Sequence, residues 1–323
     1  MQPFETLEKE YSSWMGVKGG ISCNTGTAAL HLALEALKLP PDSQVLVPEF
    51  TMVATAWAVH YSRLNPIFID CDDNMLIDLD LVEKSITPKT KVLIVTHIYG
   101  RLVDMTRVME IAKKYNLRVI EDACEAQGAK WGEKLVGSFD IGCFSFYRNK
   151  IIHAEEGGIV VSNDLDLLSI VKDMKSMSFG NKHNYSHEQI GFNYRMTNSQ
   201  ANLVLDSLRN VDKNLKHRKS LENIYNKFLH PSLLLPNREA VWIYDIKVHP
   251  NKKDKLVEYL NSKGIAARHS FKPMSSQHPF NLPYKHLKSF CLSKVICYLP
   301  SGEDISEDDA KNIALETNKF LNL

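Results

Sequence analysis

The chain has 323 residues, of which 44% are hydrophobic and 24% charged, with a formal net charge of +1. That is long enough for one large unit and a smaller one with a substantial core, and the composition is that of an ordinary globular protein. The near-zero charge excludes a global field for nucleic acid or an anionic membrane, so any anionic ligand has to be captured locally.

The opening stretch, MQPFETLEKEYSSWMG, is charged and amphipathic and lacks the apolar core of a signal peptide. No run approaches the ~18 apolar residues of a membrane span. Cys23, Cys71, Cys124, Cys143, Cys291 and Cys297 show neither CxxC spacing nor a paired framework, which predicts buried, reduced thiols in a cytoplasmic protein. The sequon Asn184-Tyr185-Ser186 has no secretory route to use and reads as coincidence. Histidines and carboxylates show no ligand spacing, so no metal is expected.

In chain order, a helical pattern at 27–37 precedes apolar runs at 44–48 (QVLVP), 66–70 (PIFID) and 92–96 (VLIVT). A helix at 104–115 follows, then runs at 118–122 (RVIED), 142–146 (GCFSF) and 157–162 (GGIVVS). The runs are short, rich in β-branched and aromatic residues, and often end on a polar residue, as buried strands do. Strand–helix alternation predicts an α/β fold whose mostly parallel sheet is covered on both faces. Ligands of such sheets sit beyond the carboxyl ends of the strands.

Beyond about residue 177 the chain turns polar and aromatic (SFGNKHNYSHEQIGFNYRMTN) and reads as a functional loop. A helix at 197–215 follows, then a Lys-rich helical stretch. Strand 241–248, helix 252–262, strand 265–271 and a final helix at 306–321 form a small α+β domain. The division is a large domain at 1–215 and a small one at 216–323.

Certain segments carry chemistry only in company. Asn24-Thr25-Gly26-Thr27-Ala28 opens an apolar helix and fits a plain cap or an anion site made of free amides and the helix dipole. Glu121-Asp122 ends a buried strand, where a carboxylate faces the ligand crevice or caps the next helix. Lys150 lies between two buried strands in SFYRNK, and a buried ammonium is costly unless used or paired. GFNYRM (191–196) sits in the long loop.

Taken together, VPEFTMVATAWAV, HIYGRLVDM, VIEDACEAQGA, FSFYRNKIIHAEEGG and IGFNYRMTNSQA resemble the DegT/DnrJ/EryC1/StrS family of sugar aminotransferases. The resemblance covers nearly the whole chain. It implies the fold of aspartate aminotransferase (PLP fold type I) and pyridoxal 5′-phosphate (PLP) as cofactor, cycling through pyridoxamine 5′-phosphate. Lys150 matches the family's Schiff-base lysine, and its loss should leave almost no turnover. Asp122 matches the carboxylate paired with the ring nitrogen, and Glu125 the residue facing the ring's 3′ oxygen. Gly26, Thr27, Ala28 and Ser145 match the phosphate cradle. Asn193 matches a residue reaching the phosphate from a neighbouring subunit, which implies a homodimer with shared sites, and Arg195 belongs to the same motif.

The expected substrates are glutamate, returned as 2-oxoglutarate, and a nucleotide-linked keto sugar. NYSHEQIGFNYRMTNSQA (184–201) and CYLPSG resemble the GDP-perosamine synthase branch, and GIAARHSFKPM resembles a stretch of family enzymes acting at C4 rather than C3. That implies GDP-4-keto-6-deoxymannose as acceptor, with a UDP- or dTDP-linked 4-keto-6-deoxyhexose as the alternative. His187 and Arg268 are candidate substrate contacts, although a loop histidine and a surface arginine have the same appearance.

Departures from the pattern are also visible. Met52 stands where relatives place an aromatic against the ring, and its sulfur can cover a ring face less rigidly. Trp57 replaces the usual Asn, and His153-Ala154-Glu155 a Thr-Thr-Gly. The chain also starts late relative to the pattern, which implies altered handling of the nucleotide. A dehydratase reading requires histidine at the lysine position and is disfavoured by Lys150. A PLP-binding regulator or inactive paralogue is the remaining alternative.

Overall fold

A computed structural model describes residues 2–180, 185–280, 282 and 287–323, and Asn184 of the sequon lies outside them. The chain opens with α1 (Pro3–Met15), β1 (Gly19–Cys23), α2 (Gly26–Ala36), β2 (Gln44–Pro48), α3 (Val53–Tyr61) and β3 (Asn65–Ile69). Next come α4 (Leu79–Ser85), β4 (Thr90–Thr96), α5 (Met105–Tyr115) and β5 (Arg118–Asp122). A short hairpin, β6 (Lys130–Trp131) and β7 (Lys134–Leu135), leads to β8 (Ile141–Ser145), β9 (Gly158–Ser162) and α6 (Leu165–Met174). The rest is α7 (Asn198–Arg209), α8 (Val211–Phe228), β10 (Tyr244–Lys247), α9 (Pro250–Ser262), β11 (Arg268–His269), α10 (Leu287–Val295), β12 (Ile296–Leu299) and α11 (Glu307–Leu321).

The central sheet has seven strands in the order β1-β9-β8-β5-β4-β2-β3. β3, β2, β4, β5 and β8 run parallel, and β9 is inserted antiparallel between β8 and β1. Successive strand residues face opposite sides. Leu93, Val95 and Val119 therefore pack with α1, α5 and α7, while Val92, Ile94 and Ile120 pack with α2, α3 and α6. Two buried faces explain why these strands read as apolar runs rather than as alternation. A third core joins Leu221 and Tyr225 of α8, Leu256 and Leu260 of α9 and Ile313 of α11 to the antiparallel sheet β10-β12-β11.

Three sequence expectations shift. β1 (GGISC) was not anticipated, because two glycines depress strand propensity, yet it closes the sheet edge on β9. The helix break falls at Asn210 (φ −104°, ψ 10°), five residues before the expected 215. Val211 then turns into the large core, so α8 is continuous through 215/216, with Val211 and Leu215 on that core and Leu221 and Tyr225 on the small one. The strand expected at 265–271 shrinks to Arg268–His269, which alone pair in register with β12.

Candidate active site

β5 delivers two carboxylates to opposite sides of the sheet. Glu121 is buried and accepts the Gly137 and Phe139 amides (2.7 and 2.9 Å) and faces His97 Nε2 at 3.3 Å. The Val103 amide donates to Nδ1 of His97, leaving Nε2 to donate to Glu121. With every partner accounted for, Glu121 is committed to holding the 136–139 turn. Asp122 faces the other way, at the carboxyl end of the parallel strands. Its Oδ2 accepts the Thr55 hydroxyl at 2.7 Å and its Oδ1 the Cys124 amide at 3.3 Å. Thr55 is continued by a hydroxyl chain through Thr51 to Thr96, each step 3.1 Å. That chain ties the first turn of α3, whose N-cap is Met52, to the carboxylate.

Lys150 sits in the 146–157 loop between β8 and β9 and is 8% exposed. Burial pushes its amine below the usual value, against Glu125, Cys124 and Asp122, which pull it upward. Glu125 is pushed up to about 8 by burial, although Lys150 and the Tyr99 amide, which donates to it at 2.9 Å, favour its charged form. The site therefore contains a carboxyl and an amine that share one buried volume, both with their charge disfavoured. Gln127 braces the loop from below, donating to the Ser145 carbonyl and accepting the Ile152 amide.

The N-terminus of α2 lies against the end of β8. Thr25 caps the helix by accepting the Ala28 amide at 3.0 Å. The Gly26 and Thr27 amides belong to the first turn, which a helix leaves without internal acceptors. A Cβ on Gly26 would stand 2.6 Å from the Ser145 Cβ, so only glycine lets the helix start approach this serine. Ser145 Oγ accepts the Tyr147 amide at 3.3 Å and remains able to donate. Amides, hydroxyls and a helix dipole converging in this way suit a phosphate.

The structure thus brings Asp122, Glu125 and Lys150 together and joins Gly26, Thr27 and Ala28 to Ser145. Met52 is 49% exposed at the α3 N-terminus, one turn before Thr55. Asn193 is exposed on a backbone bridge to Ser176, and the neighbouring Tyr194 carbonyl accepts the Asn24 amide at 2.8 Å. Arg195 is exposed. His187 is an exposed loop residue whose Nδ1 lies 3.1 Å from the Ser178 carbonyl. Arg268 is exposed on β11 opposite Tyr298, whose ring is 6.2 Å from that of Tyr99. Neither His187 nor Arg268 touches the Lys150 group.

Sequence reasoning missed Thr55, Tyr99, Arg218 and Trp242. Arg218 (α8) donates to the carbonyls of Asn149, Lys150, Trp242 and Ser301. Trp242 lies over Lys150 with Nζ 3.4 Å from a ring centroid. Thr55, Tyr99 and Trp242 lie within VPEFTMVATAWAV, HIYGRLVDM and VWIYDIKV, which stood out as family-like stretches or as a strand without giving these three side chains a role. Among the described residues no group of three His, Cys, Asp or Glu is placed to hold a metal, and no helix is long and apolar enough to cross a membrane. An amine, a carboxylate at the strand end and a phosphate-suited helix start are the donor set that PLP requires.

The chain belongs to the DegT/DnrJ/EryC1/StrS aminotransferase family, whose model matches residues 2–317. It is a transaminase with PLP as cofactor. It is 37% identical to the GDP-perosamine synthase of Caulobacter vibrioides over 287 residues, 85% of this chain and 77% of that one. It is 34% identical to the UDP-N-acetyl-3-dehydro-alpha-D-glucosamine 3-aminotransferase of Acidithiobacillus ferrooxidans, over 98% of this chain and 88% of that one. The solved Helicobacter pylori PseC, an aminotransferase of pseudoaminic acid biosynthesis, superposes with a TM-score of 0.94 at 25% identity, covering 100% and 92% of the two chains.

Proposed function

We propose that this transaminase moves the amino group of glutamate to C4 of a nucleotide-linked 4-keto-6-deoxyhexose, with GDP-4-keto-6-deoxymannose as acceptor and GDP-perosamine as product. The observation that carries the chemistry is the buried Lys150 amine beside Asp122 and Glu125. The likeness to a GDP-perosamine synthase supports the sugar.

When bound, PLP supplies an electron sink that makes the hydrogen next to the transferred nitrogen acidic. The protein's own part follows from its geometry. Asp122, held by Thr55 and Cys124, presents a fixed carboxylate for the ring nitrogen. The α2 amides and Ser145 hold the phosphate, and Asn193 of the partner subunit completes that cradle in a homodimer. Met52 covers the ring face from the start of α3. Lys150 anchors the cofactor at rest. Its free amine would take the proton from the donor carbon in one half-reaction and return one to the sugar carbon in the other. Burial lowers the cost of the neutral amine and so suits it to accept that proton.

The comparable likeness to a UDP-sugar 3-aminotransferase favours a second reading, in which the acceptor is UDP-linked. An acceptor screen separates the two. Purified enzyme with glutamate is offered GDP-4-keto-6-deoxymannose, UDP- and dTDP-linked 4-keto-6-deoxyhexoses and a UDP-linked 3-keto sugar, with product mass measured and Lys150→Ala as the blank. Amination of the GDP sugar at the highest kcat/KM is the expected result, and a strict preference for a UDP sugar overturns the choice of acceptor.

A further inference from the structure

Among the described residues, the Lys150 Nζ has neither a hydrogen-bond acceptor nor a carboxylate within ion-pair distance, and its close partner is the face of Trp242, 3.4 Å from the ring centroid. A largely buried ammonium with no hydrogen bond to protein is costly, and the electron-rich face of an indole is the strongest aromatic compensation available. The ring is also unable to slide. Its Nε1–H donates to the Asn149 carbonyl at 3.1 Å, and its own carbonyl accepts Arg218 Nη1 at 2.6 Å. Arg218 Nη2 grips the Asn149 and Lys150 carbonyls at 3.1 and 3.2 Å. One guanidinium therefore ties the backbone of the lysine to the backbone of the tryptophan, although the two come from distant parts of the chain. The lysine side chain is the only free member of this unit.

We propose that Trp242 is the positioning residue of Lys150: its indole face is the resting place of the amine whenever that nitrogen is not bonded to the cofactor, and it favours the ammonium form there. In a reaction where Lys150 takes a proton in one step and gives it up in another, the ring holds the charged nitrogen in place between the two. This deepens the transaminase reading and rests on Lys150 being the reacting amine.

The test is made on the apoprotein. Trace acetylation acts only on the free amine, so the pH dependence of Lys150 labelling, read by mass spectrometry, reports the amine's titration whatever its accessibility. Wild type is compared with Trp242→Leu and Trp242→Phe, the other groups acting on the amine (Glu125, Cys124, Asp122 and Arg218) being left in place. At a pH below the midpoint, Trp242→Leu is expected to raise the free-amine fraction about 2- to 30-fold, with Trp242→Phe between it and wild type. Should the variants fail to fold, wild-type chains grown with fluorinated tryptophans keep the ring's shape while draining its face of electron density. The Lys150 midpoint should then fall in step with fluorination.

A midpoint indifferent to both the substitutions and fluorination would show that the indole is mere packing and would overturn the proposal. Failure of the parent reading looks different: borohydride reduction of the holoenzyme would attach PLP to some residue other than Lys150, while the Trp242 substitutions would still shift the Lys150 midpoint.

Discussion

Three carboxylates lie within one turn of the end of β5, and their partners decide what each does. Glu121 and Asp122 accept hydrogen bonds from N–H and O–H donors on more than one element, whereas among the described residues Glu125 accepts only the Tyr99 amide and is pushed up to about 8 by burial. Its ordinary value is 4.5, so between about pH 4.5 and 8 the folded protein binds a proton that the unfolded chain has released. Glu125 therefore favours the fold below that window and loses that contribution as pH rises through it. Glu125→Gln keeps the acceptor for Tyr99 and removes the titration. The apoprotein Tm of this variant should gain on wild type between pH 5.5 and 8, each kcal/mol being worth about 2 °C in a chain this large. Equal Tm differences at both pH values would contradict the assignment. Asp122 and Glu125 were legible through their motif. Thr55 and Tyr99 were not, because a hydroxyl and a backbone amide act through position alone, and only the fold supplies position.

At the scale of elements, the phosphate-suited cradle depends on how closely α2 approaches β8. The apolar periodicity of 27–37 and the run at 142–146 made both elements legible, as did the Gly-Thr start. That the helix start touches Ser145 closely enough to require Gly26 was not, since the contact is long-range. β1 escaped notice for a related reason: its stability comes from pairing with β9 rather than from its own residues. Gly26→Ala puts a methyl 2.6 Å from the Ser145 Cβ and forces the helix N-terminus away. Affinity for PLP, titrated by absorbance, should fall at least tenfold, about 1.4 kcal/mol, while far-ultraviolet circular dichroism stays unchanged because alanine favours the helix. Undiminished affinity would mean that the phosphate is held elsewhere.

Across the whole molecule, the two sheets are joined through charge. Arg101, just after β4, places Nη1 3.1 and 3.0 Å from the two carboxylate oxygens of Asp245 on β10, and its remaining donors reach the Pro236 carbonyl. Arg238 bonds Asp245 and, at 2.9 Å, Glu222 of α8. All four are buried, two positive and two negative. Gly100 packs so tightly on Ala240 that a Cβ would lie 1.6 Å from its carbonyl oxygen, which fixes the 236–243 segment and hence Trp242. None of this was visible in the sequence, where arginines and an aspartate in HIYGRLVDM, NREA and VWIYDIKV look like surface charges. Burial alone would raise the Asp245 carboxyl, but Arg238 and Arg101 more than offset it and hold it below its ordinary value of 3.8. Its stabilisation is therefore complete at neutral pH and lost only as the medium falls below about pH 4, outside the window set by Glu125. Asp245→Asn leaves two guanidiniums facing one carboxylate in a dry interior, which typically costs about 3–5 kcal/mol. Urea unfolding at pH 7 should show a midpoint lowered accordingly, and the deficit should shrink as pH falls below 4. The double variant Arg101→Met, Asp245→Leu, which removes charge in a balanced pair, should recover part of the loss. If Asp245→Asn unfolds at the wild-type midpoint, the two sheets are held by their apolar contacts and the network is incidental.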